Sequence, residues 1–224
     1  MGRALPMRIK AESLVIEATK CREKRRGRQR CPIAHAAILN AALDLLKTKS
    51  LRDVSADGIA LRAGVSKATI YKWWPHKNLV ALDAFLTQIQ REVPIPDTGS
   101  VQLDFTKQLR SVVDFYATPL GRLFAQFVAE GQSDPEFLKI FRERFLKSRR
   151  DTVRTMWQRG VARGEVSASV DCNLVIDLIY GPLVFRLLTG HGPLNSAEAT
   201  AIVAAVFAGV GGSTRSTKRS KRTV

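Results

Sequence analysis

The chain has 224 residues, 45% of them hydrophobic and 25% charged, and its 36 Lys plus Arg against 20 Asp plus Glu leave a net charge of +16. That apolar share supports a sizeable core and excludes global disorder. No uninterrupted apolar run reaches the roughly 18 residues of a membrane span.

The N-terminus has no apolar stretch leading to a small-residue cleavage site, and Pro6 stands where a myristoylation signal wants Ser or Thr, so neither secretion nor lipidation is expected. Cys21, Cys31 and Cys172 are too few and too scattered for a disulfide scaffold and suit a reducing cytosol, so a cytoplasmic protein is expected. Cys31 and His35 lie four apart, but no further ligands at suitable spacing accompany them, so no metal site is expected.

The charge is concentrated at the two ends. Residues 20–30 carry Lys20, Arg22, Lys24, Arg25, Arg26, Arg28 and Arg30 against Glu23, net +6. Residues 213–224 carry Arg215, Lys218, Arg219, Lys221 and Arg222 with no acid, net +5. The stretch 31–92 is net +3, whereas 93–212 is net +1. Basic arms are a common way to hold a polyanion, because each neutralised phosphate releases a counterion, while for the C-terminal tail a solvated segment that only aids solubility is an equal reading. The reading is a flexible basic arm over 1–31 and a basic disordered tail over 211–224.

Between them the chain reads as helical, with about nine helices and few strand signals. Pro32–Lys49 shows apolar residues at three and four spacing behind a first-turn proline. Ser55 can cap a helix running to Arg62, Gly64 breaks it, and Ser66 can cap a third helix running to about Trp74. A fourth runs from His76 to Arg91, and Val93–Ser100, with its two prolines and a glycine, is a linker. Further helices are expected over Val101–Tyr116, Pro119–Glu130, a long one from the Ser133-Asp134-Pro135-Glu136 capping box to Arg163, one over Asp171–Leu188 kinked at Gly181-Pro182, and a last one from Asn195 or Ser196 to Val210.

Residues 55–74 form a helix-turn-helix: two short helices joined at Gly64, with Ile59, Ala60, Val65 and Ile70 spaced to pack together. The second helix carries Lys67, Ala68, Thr69, Tyr71, Lys72 and Trp73, the cations, hydroxyl and aromatic groups that reach phosphates and base edges in a major groove.

The stretch Val54–Lys77 resembles the TetR family of bacterial transcriptional regulators: Ile59-Ala60, then Ala63-Gly64-Val65-Ser66, then Ile70-Tyr71, the pair Trp73-Trp74, and Lys77 three residues on. Trp74 stands where phenylalanine is commoner, and Gly58 where a charged residue is usual. The resemblance implies an all-α fold, with a DNA-binding head over 32–92 built on a three-helix helix-turn-helix, and a C-terminal bundle over 101–210. It also implies that Thr69 and Lys67 contact bases and phosphates, that Tyr71 and Trp73 face the backbone or groove wall, and that Lys77 and Ser55 grip phosphates. By the same resemblance Arg28 and Arg30 belong to an arm that enters the adjacent minor groove.

The segments Gly121–Glu130, Asp134-Pro135-Glu136, Gly160–Glu165 and Ile179–Leu183 are similar to one subgroup of TetR C-terminal domains. In the family that region binds a small molecule and forms the dimer. The implied pocket residues are Phe105, Tyr116, Phe124, Phe127 and Trp157, and the implied interface residues are Val175, Ile179, Leu183, Leu187, Ile202 and Val206. The expected protein is then a homodimeric repressor, without a resident cofactor, that binds a palindromic duplex operator and is released by a small-molecule effector. The alternative is a DNA-organising protein that binds through its basic arms without ligand control. An enzyme is not expected, since GxSxG and P-loop motifs are absent and His35, His76 and His191 have no evident partners.

Overall fold

Gly64 sets the geometry of the first half of the chain. In the computed structural model, which describes residues 32–211, Gly64 has φ 66° and ψ 32° and ends the helix before it in a left-handed turn. A residue with a Cβ is disfavoured there. The elements of this unit are α1 (Pro32–Leu46), α2 (Ala56–Ala63), α3 (Lys67–Trp73) and α4 (Lys77–Glu92). Ser55 caps α2 by accepting from Gly58 N at 3.0 Å, and Ser66 caps α3 by accepting from Thr69 N at 3.2 Å. The core is formed by Ile38, Leu46, Ile59, Ile70, Leu82 and Phe85. Trp74 fills the slot expected of it, at 3% exposure, and its indole N–H donates to Asp83 Oδ2 at 2.7 Å.

The described chain divides into two compact units, one ending at Gln88 and the other beginning at Ile89. The division thus falls inside α4 rather than in the proline-rich segment 93–100. That segment is tied to the second unit: Arg159 donates to the Pro96 carbonyl and pairs with Asp97 at 3.1 Å, while the buried Asp104 accepts from Thr98 N at 2.7 Å.

The second unit holds α5 (Val101–Ala117), α6 (Leu123–Ser133), α7 (Pro135–Phe141), a π-helical segment (Arg142–Lys147), α8 (Ser148–Ala162), α9 (Cys172–Thr189) and α10 (Ser196–Gly211). Since α7, the π segment and α8 run on without a break, the described residues contain nine rods and no strand, as the periodicity predicts. The π segment itself has no counterpart in the periodicity.

Two boundaries differ from expectation. Helix α6 starts at Leu123, not Pro119, because Gly121 packs on the end of α5: a Cβ there would lie 1.9 Å from the Phe115 carbonyl oxygen, and Gly121 N donates to Thr118 Oγ1 at 3.0 Å. The cap before α7 is Asp134, which accepts from Phe137 N at 3.0 Å, while Ser133 ends the preceding helix.

Helix α9, with 18 residues and mean hydropathy 1.5, is long and apolar enough to cross a membrane by length and composition alone. It nevertheless buries Val175, Ile179 and Leu183 in its own unit, and its Asp177 and Arg186 pair with Arg150 and Glu198. The basic arm, including Arg28 and Arg30, and the tail beyond Gly211 lie outside the described residues.

Replacing Gly64 with Ala should cost about 1–2 kcal/mol of stability through the left-handed backbone alone. An unchanged denaturation midpoint would show that the turn does not need glycine.

Candidate nucleic-acid interface and effector cavity

Helix α3 has seven residues and one of them, Ile70, is buried. Ile70 points α3 inward, so the residues around it are displayed. Lys67, Ala68, Tyr71 and Lys72 are exposed, while Thr69 and Trp73 are half-buried. Lys67 Nζ pairs with Asp57 Oδ2 at 2.8 Å, and the Asp57 carboxylate raises the Lys67 pKa. The Thr69 hydroxyl lies 2.9 Å from Ser66 Oγ, which fixes it at the start of the helix. The Trp73 ring sits 5.5 Å from both His35 and Trp74, so its indole is partly committed to packing, while Tyr71 makes no such ring contact among the described residues.

Lys77 is placed differently from its expected phosphate grip. Its ammonium donates to the carbonyls of Leu51, Arg52 and Val54 at 3.1, 2.9 and 2.6 Å, which uses all three of its protons. Lys77 therefore closes the turn between α1 and α2. Ser55 is exposed but holds the α2 cap rather than a free hydroxyl. No three His, Cys, Asp or Glu side chains come together as a metal site among the described residues.

The second unit holds a partly open cavity of about 480 Å³. Its wall is built from stripes of residues four apart, the spacing that aligns side chains on one helix face. Gln108, Val112 and Tyr116 come from α5; Phe145, Arg149 and Val153 from the π segment and α8; Ile176, Tyr180, Val184 and Leu188 from α9. Phe124 and Phe141 close one end, with Phe124 stacked on Tyr116 at 5.2 Å. Of the expected pocket residues, Tyr116 and Phe124 line this space. Phe105, Phe127 and Trp157 do not: Phe105 and Trp157 pack on Phe207, and Phe127 packs between Phe137 and Phe141. The polar members Gln108, Arg149 and Tyr180 were missed. A polar residue interrupting an apolar stripe was the available signal.

The cavity's polar groups are desolvated. Burial pushes the Tyr116 and Tyr180 hydroxyls well above the ordinary phenol range, so both remain proton donors. Tyr180 donates to the buried Gln108 side chain.

The expected interface residues also divide. Val175, Ile179 and Leu183 are fully buried within their own unit, and Leu187, Ile202 and Val206 are half-buried. The outward stripe of α9 is instead Leu174, Leu178, Phe185 and Leu188, at 56%, 47%, 59% and 46% exposure. The helical repeat alone does not say which of two apolar faces meets the core.

Comparison with known proteins places both units. Residues 38–82 match the family model described as bacterial regulatory proteins of the tetR family, and residues 95–206 match the tetracyclin repressor-like C-terminal domain. The chain is 38% identical over 188 residues to YdeS of Bacillus subtilis (strain 168), an uncharacterised HTH-type transcriptional regulator, covering 84% of this chain and 95% of that protein. It is 33% identical to the HTH-type transcriptional regulator AqdR of Rhodococcus erythropolis, covering 69% and 74%. Among solved structures it superposes on the TetR family regulator SCO0332 with a TM-score of 0.73 at 30% identity, covering 79% of this chain and 98% of that one.

Asp57→Asn should free Lys67 and tighten binding to duplex DNA of any sequence, with a salt dependence steeper by about one counterion. An unchanged slope would mean Lys67 does not meet phosphate. Lys77→Met should lower stability by about 1.5–3 kcal/mol, the range for hydrogen bonds to a charged donor, as read by denaturant titration. Loss of DNA affinity at full stability would restore Lys77 to the phosphate contacts.

Proposed function

The chain belongs to the TetR family of bacterial transcriptional regulators, and from that premise we propose that it is a homodimeric repressor which leaves a palindromic operator when a small, largely apolar molecule fills the cavity of its second unit. As a member it is a DNA-binding regulator of transcription. The observation that best supports the fuller reading is the pairing of an outward-facing α3 in one unit with a partly open, mostly apolar cavity in the other.

The display of Lys67, Ala68, Tyr71 and Lys72 on α3 suits insertion into a major groove, where Lys67 and Lys72 meet phosphates and the aromatic and methyl groups meet base edges. A seven-residue helix reads few base pairs, so specificity requires a second copy, related by two-fold symmetry, on a second half-site.

The exposed stripe Leu174, Leu178, Phe185 and Leu188 supplies the surface for that pairing. On α10 the exposed positions Ala197, Ala201, Ala204 and Ala208 form a second stripe of small residues at helical spacing. Two such faces from each protomer make a four-helix bundle in which large side chains of one copy seat over small ones of the other.

Release by an effector follows from the chain's continuity. Ile89 lines the cavity and is carried by α4, whose residues Lys77–Gln88 belong to the head. A ligand that binds better to one disposition of α4 shifts the population toward it, and the two heads then no longer match the half-site spacing.

Selection of bound duplexes from a random pool should recover an inverted repeat with half-sites about 10 bp, or a multiple, from centre to centre. A pool that stays unenriched overturns the operator reading. Phe185→Glu should convert the dimer to monomer in sedimentation and weaken operator binding; a variant that stays dimeric would remove α9 from the interface.

A further inference from the structure

The cavity of the second unit is mostly apolar, with its polar side chains at Gln108, Tyr116, Arg149, Arg150, Asp177 and Tyr180. Among them, Arg149 has its Nη2 fully buried and without a hydrogen-bond partner. The guanidinium has no ion-pair partner among the described residues. The one acid on the cavity wall, Asp177, is engaged by Arg150. Tyr180 spends its proton on Gln108, whereas the Tyr116 hydroxyl has no hydrogen-bond partner among the described residues. Two donors, the Arg149 fork and the Tyr116 hydroxyl, thus border the same space with nothing to donate to.

A cation held out of water without a counter-charge is costly, and the cost disappears when an anion binds beside it. The planar fork of arginine matches a carboxylate in bidentate fashion. One unpaired guanidinium and one phenol balance a single negative charge. A phosphate dianion would leave charge uncompensated among Val112, Phe124, Phe145 and Val153. The volume beyond Arg149, about 480 Å³ and walled by aliphatic and aromatic side chains, suits an apolar body attached to that head.

The backbone around Arg149 has an unusual feature of its own. The π-helical segment Arg142–Lys147 ends two residues before it. Residues four apart overshoot one turn of an α-helix and undershoot one turn of a π-helix, so mixing the two keeps Phe141, Phe145, Arg149 and Val153 closer to one line. The wide turn thus helps aim Arg149 into the cavity. Desolvation lowers the Arg149 pKa, in keeping with a half-buried cation that lacks its anion.

We propose that Arg149 is the anchor of the effector site, and that the effector is an apolar monocarboxylate whose head is received by the Arg149 guanidinium and the Tyr116 hydroxyl. This rests on the cavity being the effector site, and the test separates the two ideas. The full-length protein is titrated calorimetrically with decanoate, dodecanoate and 2-naphthoate, and with the alcohol corresponding to each. At least one acid should bind about tenfold or more tighter than its alcohol, a difference of the size a charge-assisted bidentate contact supplies. Arg149→Met should abolish that preference, the acid losing far more affinity than the alcohol, because the acid forfeits an ion pair and the alcohol only a hydrogen bond. If Arg149→Met does not fold, Arg149→Gln replaces it, and the acid-against-alcohol comparison on the unmodified protein stands without either variant. Acids that bind no better than their alcohols, acids that do not bind at all, or a preference that survives loss of Arg149 each overturn the proposal. Release of operator DNA by a neutral ligand, with no preference for acids, would sink the anion anchor and leave effector release standing. Acid binding that depends on Arg149 but leaves DNA bound would do the reverse.

Discussion

A seven-residue helix is not stable on its own in water, because so short a helix makes too few backbone hydrogen bonds to offset the cost of nucleation. Helix α3 exists only because its neighbours hold it. Gly64 turns the chain in a conformation other residues resist, Ser66 satisfies the first free N–H groups, and Ile70 and Trp74 are buried in the head. These contacts use the inner side of α3, and the outer side is therefore left with Lys67, Ala68, Tyr71 and Lys72 at its surface. Lys77 contributes from α4 by closing the 51–54 turn with three hydrogen bonds. The surface proposed to read DNA is in this sense a by-product of how the helix is secured.

The second unit faces the opposite problem. Its helices carry more apolar surface than one unit buries, and the excess is divided between two places: a partly open cavity and the exposed stripe of α9. Helix α9 contributes to both. Tyr180 and Val184 line the cavity, Leu174 and Leu178 lie at the solvent side, and the exposed Phe185 and Leu188 border the cavity as well. A molecule that presses on one face of α9 therefore acts on the helix that would meet a second copy. Ile89 links the cavity to α4 through the chain itself. Small displacements in a packed interior are carried along rigid helices, which gives a physical route from an occupied cavity to the heads.

The parts of the fold governed by local rules were legible in the sequence. Ser55, Ser66 and Asp171 cap the helices they precede, and Gly64 and Gly164 end theirs with positive φ. What was hidden depends on which partner a residue meets. Val175, Ile179 and Leu183 have the same spacing and polarity as an interface stripe, yet they belong to the unit's own core. Phe105, Phe127 and Trp157 are as aromatic as Phe124 but fill solid packing. Lys77 reads as a phosphate ligand because nothing local reveals that three carbonyls 23 to 26 residues earlier converge on it. Arg149 reads as one of a run of surface bases, and only the π-helical segment before it and the depth of the cavity set it apart.

The central claim is that α3 enters the major groove twice on one duplex. Methylation interference on an operator duplex tests it most directly, because the methyl group at guanine N7 occupies only that groove. Two clusters of interfering guanines on one face, separated by about one helical turn or a multiple, are the expected result. Strong binding with no interference at N7, or a single cluster, would contradict the account.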